Sequence, residues 1–281
     1  MATKKAASTK KKAPVKASTS SAAKTTVKTV KTVSVSASAS QTGLSSHIVT
    51  SLRSAKLWRA LAAEFIGTFL LAGVIIAGQG QPIFVLFALV GIVLLIGAIS
   101  GAHVNPAITI GAWATRRIGW LRAVGYILVQ FFGAAVAYLT FSAFIGGAAS
   151  VSEQQQLYGQ TAPTLFAAAD IANLAGKEWY VFFSELLGTA ILGFAVASAT
   201  RTLDRLTGAF TIGLGIFVAL MITVTVAGYV SGSAIINPAV ALALQAYTPV
   251  VWAYAVYALA PVIGGVLGFI VHDLVRTKEV I

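Results

Sequence analysis

Six apolar stretches, at about residues 58–78, 83–100, 118–144, 178–199, 207–230 and 250–272, limit the folds open to this chain more than any other feature. Each is close to the roughly 20 residues a helix needs to cross the hydrocarbon core of a bilayer. Charged residues make up 10% of the 281 positions and hydrophobic residues 57%, whereas a soluble domain carries about 25% charged residues. The pattern predicts an all-α membrane protein, with one six-span domain over residues 51–281 and no room for a second folded domain. The chain has no cysteine, which excludes disulfides and thiolate metal sites. Its three histidines, His47, His103 and His272, are scattered along the sequence, so neither a metal cluster nor another cofactor is expected.

The charge is unevenly placed. Residues 1–63 hold twelve of the twenty Lys and Arg and none of the eight acids, so the whole net charge of +12 sits at the N-terminus. Residues 1–50 are Lys, Ser, Thr and Ala with few large apolar side chains, and are expected to be a disordered basic tail. Contact with anionic lipid, with nucleic acid or with a targeting receptor is open to such a tail, as is plain solvation that helps to orient the first helix. The excess of Lys and Arg places the N-terminus in the cytoplasm. The loops then alternate in agreement: Arg116, Arg117, Arg122, Arg201, Arg205, Arg276 and Lys278 fall inside, while Glu153, Asp170, Lys177 and Glu178 fall outside. Both termini are therefore expected in the cytoplasm of a multi-pass cell-membrane protein.

The chain also repeats itself. Glu64-Phe65-Ile66-Gly67-Thr68 opens one half and Glu185-Leu186-Leu187-Gly188-Thr189 opens the other, and each half later reaches a Ser-Gly turn and an Asn-Pro-Ala tripeptide. The repeats cover about 57–145 and 178–273. Three spans separate the two copies, so the halves cross the membrane in opposite senses, an arrangement that builds its path at the repeat interface near the midplane.

Asn105-Pro106-Ala107 and Asn237-Pro238-Ala239 are each followed by an apolar segment of about two turns, Ala107 to Ala114 and Ala239 to Ala246, too short to span. Asn is a favoured N-cap and Pro a favoured first helical residue, so each tripeptide starts a re-entrant half-helix. In an inverted repeat the two N-termini meet head to head, each with about half a positive charge, and repel cations and protons. The Asn amides can donate to a passing oxygen. The unwound backbone before each turn is tolerable at membrane depth only where it lines a wet cavity. Carbonyls of Gly101, Ala102 and His103, and of Gly232, Ser233 and Ile235, are the expected acceptors.

On these residues the chain resembles the aquaporin and glycerol-facilitator family, the major intrinsic proteins, over about 57–273. Ser100-Gly101-Ala102-His103-Val104-Asn105-Pro106-Ala107 is similar to the family's first signature, as are Gln130 with Gly133-Ala134 and Pro261 with Gly264-Gly265. The resemblance implies a homotetramer in the lipid bilayer, with a pore for small neutral solutes in each protomer. It also makes Glu64 and Glu185 structural braces for the re-entrant loops.

At the family's outer constriction the chain departs from the pattern. Most members place Arg directly after the second Asn-Pro-Ala, and here that residue is Val240. The other corresponding positions are Val85, Thr225 and Ala234, with Phe84 or Val224 taking their places if the register slips by one. Such a constriction has no charge and at most one hydroxyl, which implies a wide opening for solutes such as glycerol beside water. A passive channel is the function expected. Its competitors are a proton-coupled transporter or ion channel using the intramembrane acids Glu64 and Glu185, and a membrane scaffold acting through the tail. No nucleophile–base pair or phosphate loop suggests an enzyme. The glycines at 91, 97, 133, 213, 215, 264, 265 and 268 are expected to let helices approach closely.

Overall fold

The computed structural model describes residues 44–147, 151–159, 161, 162 and 164–276; most of the basic tail lies outside them. Six helices are long and apolar enough to span: α2 (Ala55–Ala77), α3 (Pro82–Ser100), α5 (Trp120–Gly146), α7 (Glu178–Ala199), α8 (Arg205–Gly228) and a sixth over Val251–Val275. The sixth is composite, made of α10 (Val251–Tyr254), a π-turn (Ala255–Leu259) and α11 (Ala260–Val275). The short helices are α1 (Leu44–Leu52), α4 (Pro106–Ala114), α6 (Glu153–Leu157) and α9 (Pro238–Ala243), with one 3₁₀ turn at Ile171–Leu174. There is no strand among the described residues.

Two boundaries differ from expectation. Composition groups residues 44–50 with the disordered tail, but they lie in α1. Leu44, Ile48 and Leu52 recur every four residues, a helical apolar spacing that the preceding Lys/Ser/Thr/Ala stretch lacks. The second half-helix is shorter than its sequence suggested, ending at Ala243. Gln245 then takes a left-handed turn with φ 56°.

Local chemistry sets the helix ends. Pro82 occupies the first turn of α3, and Gly101, with φ 95°, terminates it in the left-handed conformation that glycine adopts without penalty. Asp204 caps α8 by accepting from the Thr207 amide at 2.7 Å.

Each repeat packs as a three-helix unit, α2 against α3 and α5, and α7 against α8 and α11, and the units meet where α3 lies on α8. The two units share one crossing. A Cβ on Gly133 of α5 would stand 2.5 Å from the Phe65 carbonyl of α2, and one on Gly264 of α11 would strike the Leu186 carbonyl of α7. Phe65 and Leu186 follow the two repeat acids directly, so the same contact recurs in each half. Gly213, Gly215, Gly265 and Gly268 also sit where a Cβ would meet a neighbouring helix or half-helix too closely. Gly91 and Gly97 do not: a Cβ would find open space at the first and ordinary contact at the second.

The half-helices interlock the repeats. α4 belongs to the first half but packs against α11 and α7, while α9 belongs to the second and packs against α5 and α2. Gly265 makes this possible, because a Cβ there would stand 2.7 Å from the Ala107 carbonyl at the start of α4.

Candidate pore and its Asn-Pro-Ala junction

Both asparagines cap their half-helices. The Asn105 Oδ1 accepts from the Ala107 amide at 2.9 Å, and the Asn237 Oδ1 accepts from the Ala239 and Val240 amides at 3.0 and 3.3 Å. Each also reaches across to the other repeat. Asn105 Nδ2 donates to the Ile236 carbonyl and Asn237 Nδ2 to the Val104 carbonyl, both at 2.9 Å. An amide NH2 carries two protons, so each Asn holds one in this bridge and keeps a second.

Glu64 and Glu185 sit behind the junction, fully buried. Glu64 Oε1 accepts from the His103 amide at 2.9 Å; its Oε2 accepts from the Val104 amide at 2.7 Å and from Gln130 Nε2 at 2.8 Å. Glu185 accepts from the Ile235 amide on Oε1 and from the Ile236 amide at 2.7 Å on Oε2. The symmetry stops at Gln130, since Pro261 takes the matching place in the second repeat. Proline has no N–H for the carbonyl of Tyr257 one turn back. Tyr247 Oη lies 3.0 Å from that carbonyl and 3.1 Å from the Pro238 carbonyl, tying the sixth span to α9.

With the loop amides held from behind, the carbonyls are left over. Those of Gly101, Ala102, His103, Gly232, Ala234 and Ile235 accept no hydrogen bond from the described residues. Ser233 departs from the expectation, because its carbonyl accepts from Tyr257 Oη at 3.3 Å and its hydroxyl from the Ala169 amide at 2.9 Å. It anchors the loop. The His103 ring packs edge-on to Tyr126, with Nδ1 3.3 Å from Thr109 Oγ1.

Three cavities, neighbours sharing wall residues, lie past these groups. An outer one of about 270 Å³ has Gln79, Gln81, Val85, Phe166, Val224 and the 232–235 loop in its wall and reaches Asn237. A junction cavity of about 10 Å³ lies at Asn105 and Asn237, enough for about one water. Below it an inner cavity of about 240 Å³ opens beside Gly97, Gly101, Thr200 and Arg205. Two helices line the whole course at four-residue spacing: Val85, Leu89, Val93 and Gly97 on α3, and Gly208, Ile212, Ile216, Leu220 and Val224 on α8. Leu71 and Ile75 of α2 add the outer part, and their repeat counterparts Leu192 and Val196 of α7 line the junction.

The expected constriction is corrected in two respects. Thr225 is not in the cavity wall; its side chain is exposed and its hydroxyl donates to the Met221 carbonyl of its own helix at 2.7 Å. Val224 takes its place, because it shares one face of α8 with Leu220 and Ile216. Val85, Ala234 and Val240 do border the outer cavity, but Val240 exposes none of its surface there. The smallest of the three spaces is instead the junction, among Leu71, Leu89, Ile108, Leu192, Val196 and Ile216. Phe166 was not anticipated. It comes from the loop between the repeats, which the internal symmetry does not cover, and packs so closely on Gly80 that a Cβ there would stand 2.6 Å from its ring.

The geometry has known counterparts. Aquaporin NIP3-1 of Oryza sativa subsp. japonica is 29% identical over 248 residues, 79% of this chain and 70% of that protein. Aquaporin AqpM of Methanothermobacter marburgensis is 30% identical over 199 residues, 68% of this chain and 74% of that protein. The fold is similar to the X-ray structure of the aquaglyceroporin from Plasmodium falciparum, with a TM-score of 0.57 and 22% identity over 78% of this chain and 96% of that one. The family model described as Major intrinsic protein matches residues 51–272, and the chain belongs to that family of multi-pass membrane channels for water and small solutes, which are not enzymes.

Proposed function

We propose that the chain is a passive channel for water and small neutral solutes such as glycerol, which excludes protons and ions at the paired half-helix N-termini. The observation that carries this is the lining of the three cavities. No charged side chain borders the outer cavity or the junction, so an ion entering would shed its hydration shell without compensation. A neutral hydroxyl finds Asn protons and free loop carbonyls in a wall that is otherwise apolar. Two positive helix ends oppose cations at the same point. A water holding both Asn donors is turned so that it cannot relay a proton along the file.

Other parts of the proposal follow from family and charge. The assembly is a homotetramer with one pore per protomer. Among the described residues every cation except Lys177 lies at one set of helix ends, an asymmetry that supports a cytoplasmic side for both termini. A proton-carrier role for Glu64 and Glu185 gains nothing from the geometry. Both carboxylates bond to loop amides, and neither borders the three cavities.

Stopped-flow light scattering on proteoliposomes tests the proposal. Water and glycerol are expected to equilibrate through the protein and sorbitol to be held back, with no proton uptake under a pH gradient. Glycerol as excluded as sorbitol would overturn the solute range, and proton uptake would overturn the exclusion mechanism.

A further inference from the structure

We infer that a groove between α1, α2 and α5 binds one anionic phospholipid. It is the roomiest cavity described, about 610 Å³, and it is separate from the pore. Lys56 and Arg122 border it, with the hydroxyls of Ser51 and Ser54, while Ile48, Leu57 and Trp120 form apolar wall. No acid borders it.

Its position selects a lipid. Ala55 begins α2 and Trp120 begins α5, so the groove lies where two spanning helices leave the hydrocarbon core, at headgroup level. Trp58 and Trp120 are both exposed there, as amphipathic rings are at a membrane interface. Two cations beside an apolar wall match a phosphate ester carrying an acyl chain.

The polar groups are free to take that phosphate. Lys56 makes no ion pair among the described residues. Ser54 caps α2 without a side-chain hydrogen bond. Arg122 spends Nε on Tyr126 at 2.7 Å and Nη2 on the Ser100 carbonyl at 3.4 Å, which leaves Nη1 uncommitted. The chain's own N-terminal segment is a poor occupant, because residues 1–43 carry nine Lys and no acid and would meet the groove with like charge.

Native mass spectrometry of the full chain, titrated with phosphatidylglycerol or phosphatidylcholine in detergent, tests the site. The variants come in matched pairs, groove against control: Lys56→Ala with Arg59→Ala, and Trp120→Ala with Trp113→Ala, whose exposed residue borders no cavity described. The first phosphatidylglycerol adduct is expected to weaken about fivefold in Lys56→Ala, the equivalent of the roughly 1 kcal/mol that one basic residue contributes toward anionic lipid. Trp120→Ala is expected to weaken it too, although it changes no charge, while Arg59→Ala and Trp113→Ala stay near wild type. Water flux through each variant checks the fold, since none of the four borders the pore. Equal losses in Lys56→Ala and Arg59→Ala would mean diffuse attraction and overturn the site. So would phosphatidylcholine binding as well as phosphatidylglycerol, or phosphatidylglycerol binding only after residues 2–43 are removed, which would make the tail the occupant.

Discussion

Asn237 Nδ2 donates to the carbonyl of Val104 across 2.9 Å, and Val104 is held in the left-handed region with φ 42°. The mirror contact joins Asn105 to Ile236, whose φ is 51°. Both held residues are β-branched, for which this conformation costs on the order of 1–3 kcal/mol. Each persists because its two backbone polar groups are claimed from opposite sides. A glutamate of its own repeat takes the N–H, and the asparagine of the other repeat takes none but gives a proton to the C=O. The junction is therefore a six-residue clasp that neither repeat can close alone.

Opening the clasp from the asparagine side should destabilise the fold as well as the pore. Asn237→Ala removes an N-cap, typically about 1 kcal/mol, and a cross-repeat hydrogen bond, about 1 kcal/mol more. It also leaves the buried Val104 carbonyl without its donor. Asn105→Ala should lose a similar amount, because its contacts match. Unfolding midpoints in detergent at a fixed scan rate measure this; an unchanged midpoint for either variant would remove the clasp from the account.

From the glutamate side the repeats should differ. Glu64→Gln turns an NH2 group toward the donors of His103, Val104 or Gln130, at a cost of about 1–3 kcal/mol for the buried donor left unmet. Gln130 contacts Glu64 but has no counterpart beside Glu185. Gln130→Ala should thus weaken the wild type more than it weakens Glu64→Gln, while its effect should be unchanged by Glu185→Gln. A double-mutant cycle on unfolding free energies reads both couplings, and equal coupling to the two glutamates would contradict the geometry.

Much of this architecture was legible in the residues. Span length is dictated by the bilayer, and Asn before Pro marks a helix start wherever the chain can use one. The pore wall was harder to see. Helices surrounded by lipid and neighbours are apolar on every face, so the four-residue stripes on α3 and α8 do not stand out by hydropathy. Counting back from Asn237 points to Thr225 rather than Val224, because residues 229–236 separate α8 from its half-helix, against 101–104 after α3. That longer loop shifts the register. Phe166 had no repeat partner to announce it. The residues before 44, and any role of theirs with anionic lipid, lie outside the described residues.

The shared glycine crossing predicts an all-or-none response. Gly264→Ala would drive a methyl into the Leu186 carbonyl, backbone against side chain with no rotamer to give way. Separating α7 from α11 there displaces Glu185, the neighbour of Leu186, from the amides of Ile235 and Ile236. Overpacking of this kind costs about 1–3 kcal/mol. Gly91→Ala, with open space around it, should cost nothing measurable. Comparing the unfolding midpoints of the two variants settles it, and equal losses would refute the close-packing argument.

The inner mouth should loosen in acid. The Asp204 carboxylate accepts from the hydroxyl and amide of Thr207 and is held below its ordinary value of 3.8. A depressed acid contributes stability above its unfolded value, and that contribution is lost as pH falls through the folded one. Amide exchange at Leu206 and Thr207 should therefore quicken at acid pH, relative to the intrinsic rate, in the wild type. Asp204→Asn should show no such acid step, since its cap does not titrate; a persisting step would assign it to another group.

Selectivity by size should respond most at the junction. Its space of about 10 Å³ is bounded by Leu192, whereas the outer cavity of about 270 Å³ already exceeds what a glycerol molecule needs. Leu192→Ala removes three side-chain carbons from the smallest space, so glycerol flux should rise more than water flux. Val85→Ala, in the wide region, should leave the glycerol-to-water ratio near wild type. Val240→Arg works in the opposite direction, because a long cationic side chain must displace its neighbours to leave a position with no exposed surface. It should cut glycerol flux more than water flux, at some expense in stability. Stopped-flow scattering on proteoliposomes of equal protein content gives all three ratios. If Val85→Ala raises the glycerol ratio more than Leu192→Ala does, the outer cavity sets the size limit and the junction does not.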